Sequence, residues 1–177
     1  MTDRLWIFGY GSLLWDPGFV PERKLRARAQ GWHRSFCMRS VVHRGTPGKP
    51  GLVLALDRAE AASCSGVAFA VRPGEEETVL ADLRARELVT DAYFEQRIAL
   101  EAEDGAALEA VTYVIDRSHA QYCNLSLEEQ AQVIARASGG RGPNRDYLFN
   151  TAAHLAEMGV CDADLDWLVQ RVRALTV

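Results

Sequence analysis

Strand-like and helix-like hydrophobic patterns are segregated along this chain, with no regular strand–helix–strand alternation. The first half reads mainly as strands and loops and the last third mainly as helices, an order that predicts an α+β domain rather than a doubly wound sheet. Arg4–Phe8 reads as a buried strand, and Gly31–Val42 as another, with Trp32, Phe36, Met38 and Val41 among its apolar positions. Leu52–Leu56 and Gly66–Val71 are short apolar runs joined by the polar connector Asp57–Ser65, the pattern of an antiparallel pair. Tyr93–Leu100 alternates, with Phe94, Gln96, Ile98 and Leu100 on one side and Tyr93, Glu95, Arg97 and Ala99 on the other. Glu103-Asp104-Gly105 supplies a turn before the strand Ala107–Ile115.

Helix signals come from chemistry at the ends. Glu75-Glu76-Glu77 after Pro73-Gly74 puts acid in a first turn, where the helix dipole favours it. Ser126 and Glu129 have capping-box spacing and open a helix expected to stop at Gly139-Gly140. The next starts at Asn144 or Arg145 and closes at Gly159. Asp162 caps a last helix whose Leu165, Leu168, Val169, Val172 and Leu175 form one stripe.

With 177 residues, 48% of them hydrophobic, the chain is long enough for a single domain with a substantial core, taken as residues 1–177. A net charge of −4 gives no bulk attraction to nucleic acid or to an anionic membrane. Met1-Thr2-Asp3-Arg4 leads into no cleavable apolar region, and no segment approaches the length of a membrane span. Cys37, Cys64, Cys123 and Cys161 lie far apart without metal-ligand spacing, so reduced thiols and a cytoplasmic location are expected. His33, His119 and His154 likewise lack ligand spacing and read as structural or exposed.

Two features point to chemistry. Trp6–Trp15 is an apolar run broken by Gly9-Tyr10-Gly11-Ser12-Leu13, a bend that exposes backbone N–H groups to close approach. It lacks the Lys-Ser/Thr ending of a phosphate-binding loop, the third glycine of a dinucleotide site and the spacing of a nucleophile elbow. What remains is either a plain turn or a nest for a carboxylate or oxyanion. The second feature is Glu87, which continues the apolar face of Val79, Leu80 and Leu83. An acid there is paired with Arg84, Arg86 or Arg97, sits just past the packed region in solvent, or is held with a raised pKa as a general base. Two further segments, His43–Gly51 and Gly140–Tyr147, read either as surface connections or as ligand-facing loops carrying Arg44, Lys49 and Tyr147.

Taken together, these segments resemble the ChaC-type γ-glutamylcyclotransferases. The likeness rests on Phe8–Trp15, His43–Gly51, Arg86–Tyr93 and Gly142–Leu148, which occur in the family's order and span most of the chain. Thr90-Asp91-Ala92 departs from the Gly often found there. The resemblance implies a compact mixed β-barrel flanked by helices, and a lyase that releases 5-oxoproline from a γ-glutamyl peptide, usually glutathione, leaving Cys-Gly. It implies no metal or organic cofactor. It carries Glu87 over as the catalytic acid/base, Tyr10, Gly11, Ser12 and Leu13 as the substrate-binding loop, and Tyr93 and Tyr147 as pocket residues. The positive charge of the His43–Gly51 loop suggests that Arg44 or Lys49 engages the substrate's glycine carboxylate.

The expected partner is therefore a small molecule, with oligomeric state left open. The rival expectations are a cyclotransferase of the same fold acting on other γ-glutamyl amines or dipeptides, a non-catalytic γ-glutamyl-binding module and, third, a Ser12-dependent hydrolase. Glu87 argues against the module, because a binder of an anionic ligand gains nothing from a buried negative charge.

Overall fold

Strands β1 (Trp6–Gly9), β2 (Arg23–Ser40), β3 (Gly51–Ala70), β4 (Tyr93–Ala102) and β5 (Ala107–Ile115) close a barrel in the order β1-β3-β2-β4-β5. The coordinates are a computed structural model describing residues 4–89 and 91–177, so Met1, Thr2, Asp3 and Thr90 lie outside the described residues. The barrel is mixed: β1 pairs antiparallel with β3 from Trp6↔Ala70 to Gly9↔Val67 and parallel with β5 at Ile7↔Val111. The long hairpin of β4 and β5 runs in register from Tyr93↔Ile115 to Glu101↔Ala107, and its turn carries Gly105 at φ +87°.

The described chain divides into two compact units, each assembled from two stretches of sequence. The first, Met1–Arg34 with Leu56–Asp116, holds β1, β4, β5, the larger parts of β2 and β3, and helix α1 (Glu76–Glu87). Trp6, Phe8 and Tyr10 from one face of the β1 segment meet Ala27, Leu56, Ala68, Ile98, Leu100 and Val114 in one core. Leu5 and Ile7, from the other face, meet Val79 and Leu83 of α1 together with Leu13, Val111 and Tyr113. Both faces of β1 are thus buried, which is why its sequence is a continuous apolar run.

The second unit, Ser35–Ala55 with Arg117–Val177, holds α2 (Leu127–Arg136), the two-residue strands β6 (Ser138–Gly139) and β7 (Gly142–Pro143), α3 (Asn144–Glu157) and α4 (Ala163–Leu175). The expected capping box is formed: Glu129 N–H donates to Ser126 Oγ at 3.2 Å, and Ser126 N–H donates to Glu129 Oε2 at 2.9 Å. Asp162 Oδ1 accepts from Leu165 N–H at 3.0 Å and caps α4. Leu165, Leu168 and Val172 carry the buried stripe of α4, with Val169 and Leu175 only partly covered. A bidentate Arg171–Glu128 pair, 2.8 Å at each contact, ties α4 to α2 and draws the Glu128 carboxyl down to about 2.

Three expectations about the elements change. Asp57–Ser65 is not a connector but the middle of β3, whose residues there are half-covered or exposed apart from the buried Cys64. Polar side chains do not interrupt a strand whose faces reach solvent. The alternation along β4 is real, but Phe94 is 53% exposed while Ile98 and Leu100 are buried, so the apolar side is covered only in the strand's second half. Helix α2 ends at Arg136 rather than at the glycines, because Ala137 turns extended and Ser138–Gly139 pairs with Gly142–Pro143.

Candidate active site

In the barrel unit, the chain leaves β1 at Gly9 and folds back at once. A Cβ on Gly9 would lie 3.1 Å from both Leu13 C and Leu14 N, so the glycine permits a tight return into a single 3-10 turn over Ser12–Leu14. Leu14 N–H donates to Gly11 C=O and Asp16 N–H to Ser12 C=O, each at 2.9 Å. The N–H groups of Ser12 and Leu13 lead the turn, where no preceding carbonyl of the turn can reach them. Gly11 differs from Gly9: it is buried, yet a Cβ there would meet no protein atom within 4 Å. The bend therefore borders open space at its second glycine.

Two side chains fix the bend from beneath. Tyr10 is 8% exposed, and its hydroxyl donates to Tyr113 C=O at 2.7 Å, so its phenol is turned into the core. Arg34, buried on β2, donates from Nε to Tyr10 C=O at 2.7 Å and from Nη2 to Ser65 C=O. Leu13 is also buried, within the core shared with α1, whereas Ser12 keeps a partly exposed hydroxyl.

Glu87 stands at the last residue of α1, on the side of Val79 and Leu83. Its side chain is 18% exposed, and burial raises its pKa while the neighbouring Arg86 lowers it. Arg86 Nε lies 3.4 Å from Glu87 Oε1, Nη2 donates to Ser12 Oγ at 3.2 Å, and Nη1 donates to Asp16 C=O at 2.6 Å. The sheltered acid and the glycine bend are thus linked through one guanidinium. Of the three arginines considered as partners for Glu87, Arg86 is the one in contact. Arg84 instead grips Glu95 with two bonds of 2.9 Å, and Arg97 lies 3.7 Å from Glu109.

A further layer lies alongside. Tyr113, almost fully buried on β5, donates its hydroxyl to Glu95 Oε1 at 3.0 Å. Its pKa is raised, first by burial and then by the charges of Glu95 and Glu87. Hydrogen bonding from Arg84 holds the Glu95 carboxyl below its ordinary value. Tyr93 packs partly buried against the same core as Leu83 and Tyr113.

Arg44 and Tyr147 belong to the other unit. Arg44 Nη1 donates to Arg141 C=O at 2.9 Å and Pro143 C=O at 3.2 Å, and its guanidinium lies 5.7 Å from the centre of the Tyr147 ring. The Tyr147 hydroxyl accepts from Leu54 N–H at 3.2 Å. Asn144 is fully buried: its Oδ1 accepts from Leu52 N–H and its Nδ2 donates to Leu52 C=O, each at 2.8 Å. A Cβ on Gly51 would overlap Arg44 backbone and sit 2.8 Å from Asn144 Oδ1, and one on Gly45 would overlap Ser40 and Gly51. Lys49 lies exposed in a turn in which Thr46 and Lys49 exchange backbone hydrogen bonds.

Sequence reasoning passed over Arg34, Tyr113 and the span of Arg86. Arg34 carried a readable signal, because it shares strand parity with the buried Trp32 and Phe36. Tyr113 carried none, since a tyrosine in an apolar strand reads as core. Among the described residues no group of three or more His, Cys, Asp or Glu is placed to hold a metal ion. Cys37, Cys64 and Cys123 are buried and Cys161 is exposed, and none forms a disulfide among the described residues. No helix among them is long and apolar enough to cross a membrane.

Comparison with known proteins adds an independent line. The profile of the ChaC-like proteins matches residues 5–175. The glutathione-specific γ-glutamylcyclotransferase of Escherichia coli K12 is 36% identical over 172 residues, covering 97% of this chain and 74% of that protein. The γ-glutamylcyclotransferase 2-3 of Arabidopsis thaliana is 35% identical, covering 96% and 88% respectively. The crystal structure of a glutathione-specific γ-glutamyl cyclotransferase from yeast superposes with a TM-score of 0.85 at 22% identity, over 99% of this chain and 100% of that one. At that identity the superposition speaks to the fold, which is the same.

Proposed function

This chain belongs to the ChaC-like family, and from that membership we propose that it is a γ-glutamylcyclotransferase acting on glutathione, with Glu87 as its acid/base. The observation that carries the mechanism is the shielded Glu87 carboxyl, coupled through Arg86 to the Ser12 hydroxyl of the Gly11–Leu13 bend.

The reaction needs no protein nucleophile. The α-amine of the γ-glutamyl group attacks its own γ-carbonyl carbon. A carbon–nitrogen bond forms in the five-membered lactam, and the amide bond to cysteine breaks. A proton must leave the amine before attack, and one must reach the departing cysteinyl nitrogen. Glu87 takes the first and returns it as the second, and burial suits it to both by bringing its pKa toward the working pH. The products are 5-oxoproline and Cys-Gly. Because the attack is intramolecular, holding the glutamyl chain bent supplies much of the acceleration. The N–H groups at the start of the 3-10 turn offer donors for the α-carboxylate or for the oxyanion that forms at the γ-carbonyl. Open space above Gly11 lets the glutamyl moiety reach them.

A free thiol substrate and unbridged cysteines agree with a reducing compartment, and the cytoplasm is the proposed location. The test is product identification by mass spectrometry after incubation with glutathione, γ-glutamylalanine and a γ-glutamylamine in parallel. The expected result is 5-oxoproline and Cys-Gly from glutathione, with the other two substrates turned over more slowly. Release of free glutamate would overturn the reaction type, and preference for either alternative substrate would overturn the specificity.

A further inference from the structure

Adjacent helix residues point roughly 100° apart, so side chains at i and i+1 do not ordinarily meet. Arg86 and Glu87 nonetheless meet at the end of α1, where Arg86 Nε lies 3.4 Å from Glu87 Oε1. Each remaining nitrogen has a separate task. Nη2 donates to Ser12 Oγ at 3.2 Å, while Nη1 donates to Asp16 C=O at 2.6 Å and lies 3.7 Å from Asp16 Oδ2. The side chain is 33% exposed. A guanidinium spreads fixed donors in a plane and can serve three positions at once, whereas a lysine ammonium is a single point.

We infer that Arg86 is the positioning residue of this site, locking the Gly11–Leu13 bend to the Glu87 carboxylate so that ligand binding and proton transfer share one register. The inference rests on Glu87 being the proton-transfer group. Two consequences separate it from an ordinary surface pair. Losing the contacts to Ser12 and Asp16 loosens the bend and weakens substrate binding. Losing the positive charge beside Glu87 leaves burial unopposed, so the carboxylate ionises at higher pH. The other titratable or charged groups on elements packed near it include Tyr113 on β5, Tyr93, Glu95 and Arg97 on β4, and Asp16 after the 3-10 turn. Glu95 is already neutralised by Arg84, and among these groups Arg86 is the cation in contact with Glu87.

The test compares Arg86→Gln and Arg86→Lys in the full chain, with KM and kcat for glutathione measured across pH and thermal unfolding recorded beside them. For Arg86→Gln, KM is expected to rise about tenfold, as for loss of one charge-assisted hydrogen bond, and the acidic limb of kcat/KM to move to higher pH. Arg86→Lys is expected to keep the acidic limb near its wild-type position while KM stays raised, since the charge returns without the fork. Unchanged KM and an unmoved limb in Arg86→Gln would overturn the inference. So would a loss explained wholly by a lower folded fraction, with kinetics per folded molecule unaltered. If Arg86→Gln fails to fold, Arg86→Lys decides alone: a wild-type KM overturns the inference and a raised KM with an unmoved limb supports it. Glu87→Gln separates this inference from the reading it rests on. Full activity there removes the proton-transfer role and the inference with it, whereas an inactive Glu87→Gln beside a wild-type-like Arg86→Gln removes the inference alone.

Discussion

Gly11 in the barrel unit has no protein atom within 4 Å of where a Cβ would stand, whereas Gly51 in the helical unit is pressed against the Arg44 backbone and the Asn144 amide. Both lie in segments that carry the family resemblance. In the barrel unit the motif residues border open space at Gly11, beside a half-buried Ser12 and a sheltered Glu87 carboxyl that share Arg86. In the helical unit they engage one another, with Asn144 holding both backbone groups of Leu52 and Arg44 holding the carbonyls of Arg141 and Pro143. A motif residue can therefore border open space or serve as a packing constraint. The atoms around it tell the two apart.

Substitutions can break that contrast. The largest effect is expected at Gly51→Ala, where overlap with rigid backbone costs about 3 kcal/mol or more. Chemical denaturation measures it, and a well-tolerated alanine would dissolve the comparison. Asn144→Ala strands a buried N–H and a buried C=O of Leu52, a cost of about 2–4 kcal/mol. Turnover per folded molecule should be nearly unchanged, so a collapse of kcat in still-folded protein would move Asn144 into the chemistry. Gly11→Ala should show the reverse pattern, with stability within about 1 kcal/mol of wild type. Its kcat/KM should fall by about 100-fold, because a methyl group would occupy the substrate's approach. Arg44→Ala is expected to be mildest, lowering stability by about 1 kcal/mol through lost carbonyl contacts and leaving KM for glutathione near wild type. A tenfold rise in KM with unchanged stability would instead give Arg44 the carboxylate-binding role its charge suggested.

Much of the barrel unit could be read in the sequence because its signals are local. The acid on the apolar face of α1 follows from 3.6-residue spacing, and the β4–β5 hairpin from alternation about Gly105. Cap chemistry at Ser126 and Asp162 was legible for the same reason. What escaped was set by tertiary contacts. The middle of β3 looked like a connector because strand pairing, not its own side chains, holds it extended. Arg86 and Asn144 act over sequence separations of 74 and 92 residues, and no local pattern announces such partners. Phe94 looked like core because alternation gives a side of the strand, not whether anything covers it.

Burial of Glu87 also has a thermodynamic signature. Its folded-state pKa is raised above the ordinary 4.5, so the native state holds its proton to higher pH than the unfolded chain does. Stability contributed by this group is therefore full below 4.5 and falls as pH rises through the folded pKa. An uncharged glutamine of the same shape escapes that loss, and Glu87→Gln should be as stable as wild type at acidic pH and more stable than wild type at neutral pH.

That variant tests the central claim most directly when 5-oxoproline release and thermal unfolding are measured on the same preparation. A folded Glu87→Gln protein with release reduced by about 1,000-fold is the predicted result. Release at the wild-type rate from folded Glu87→Gln would contradict the account.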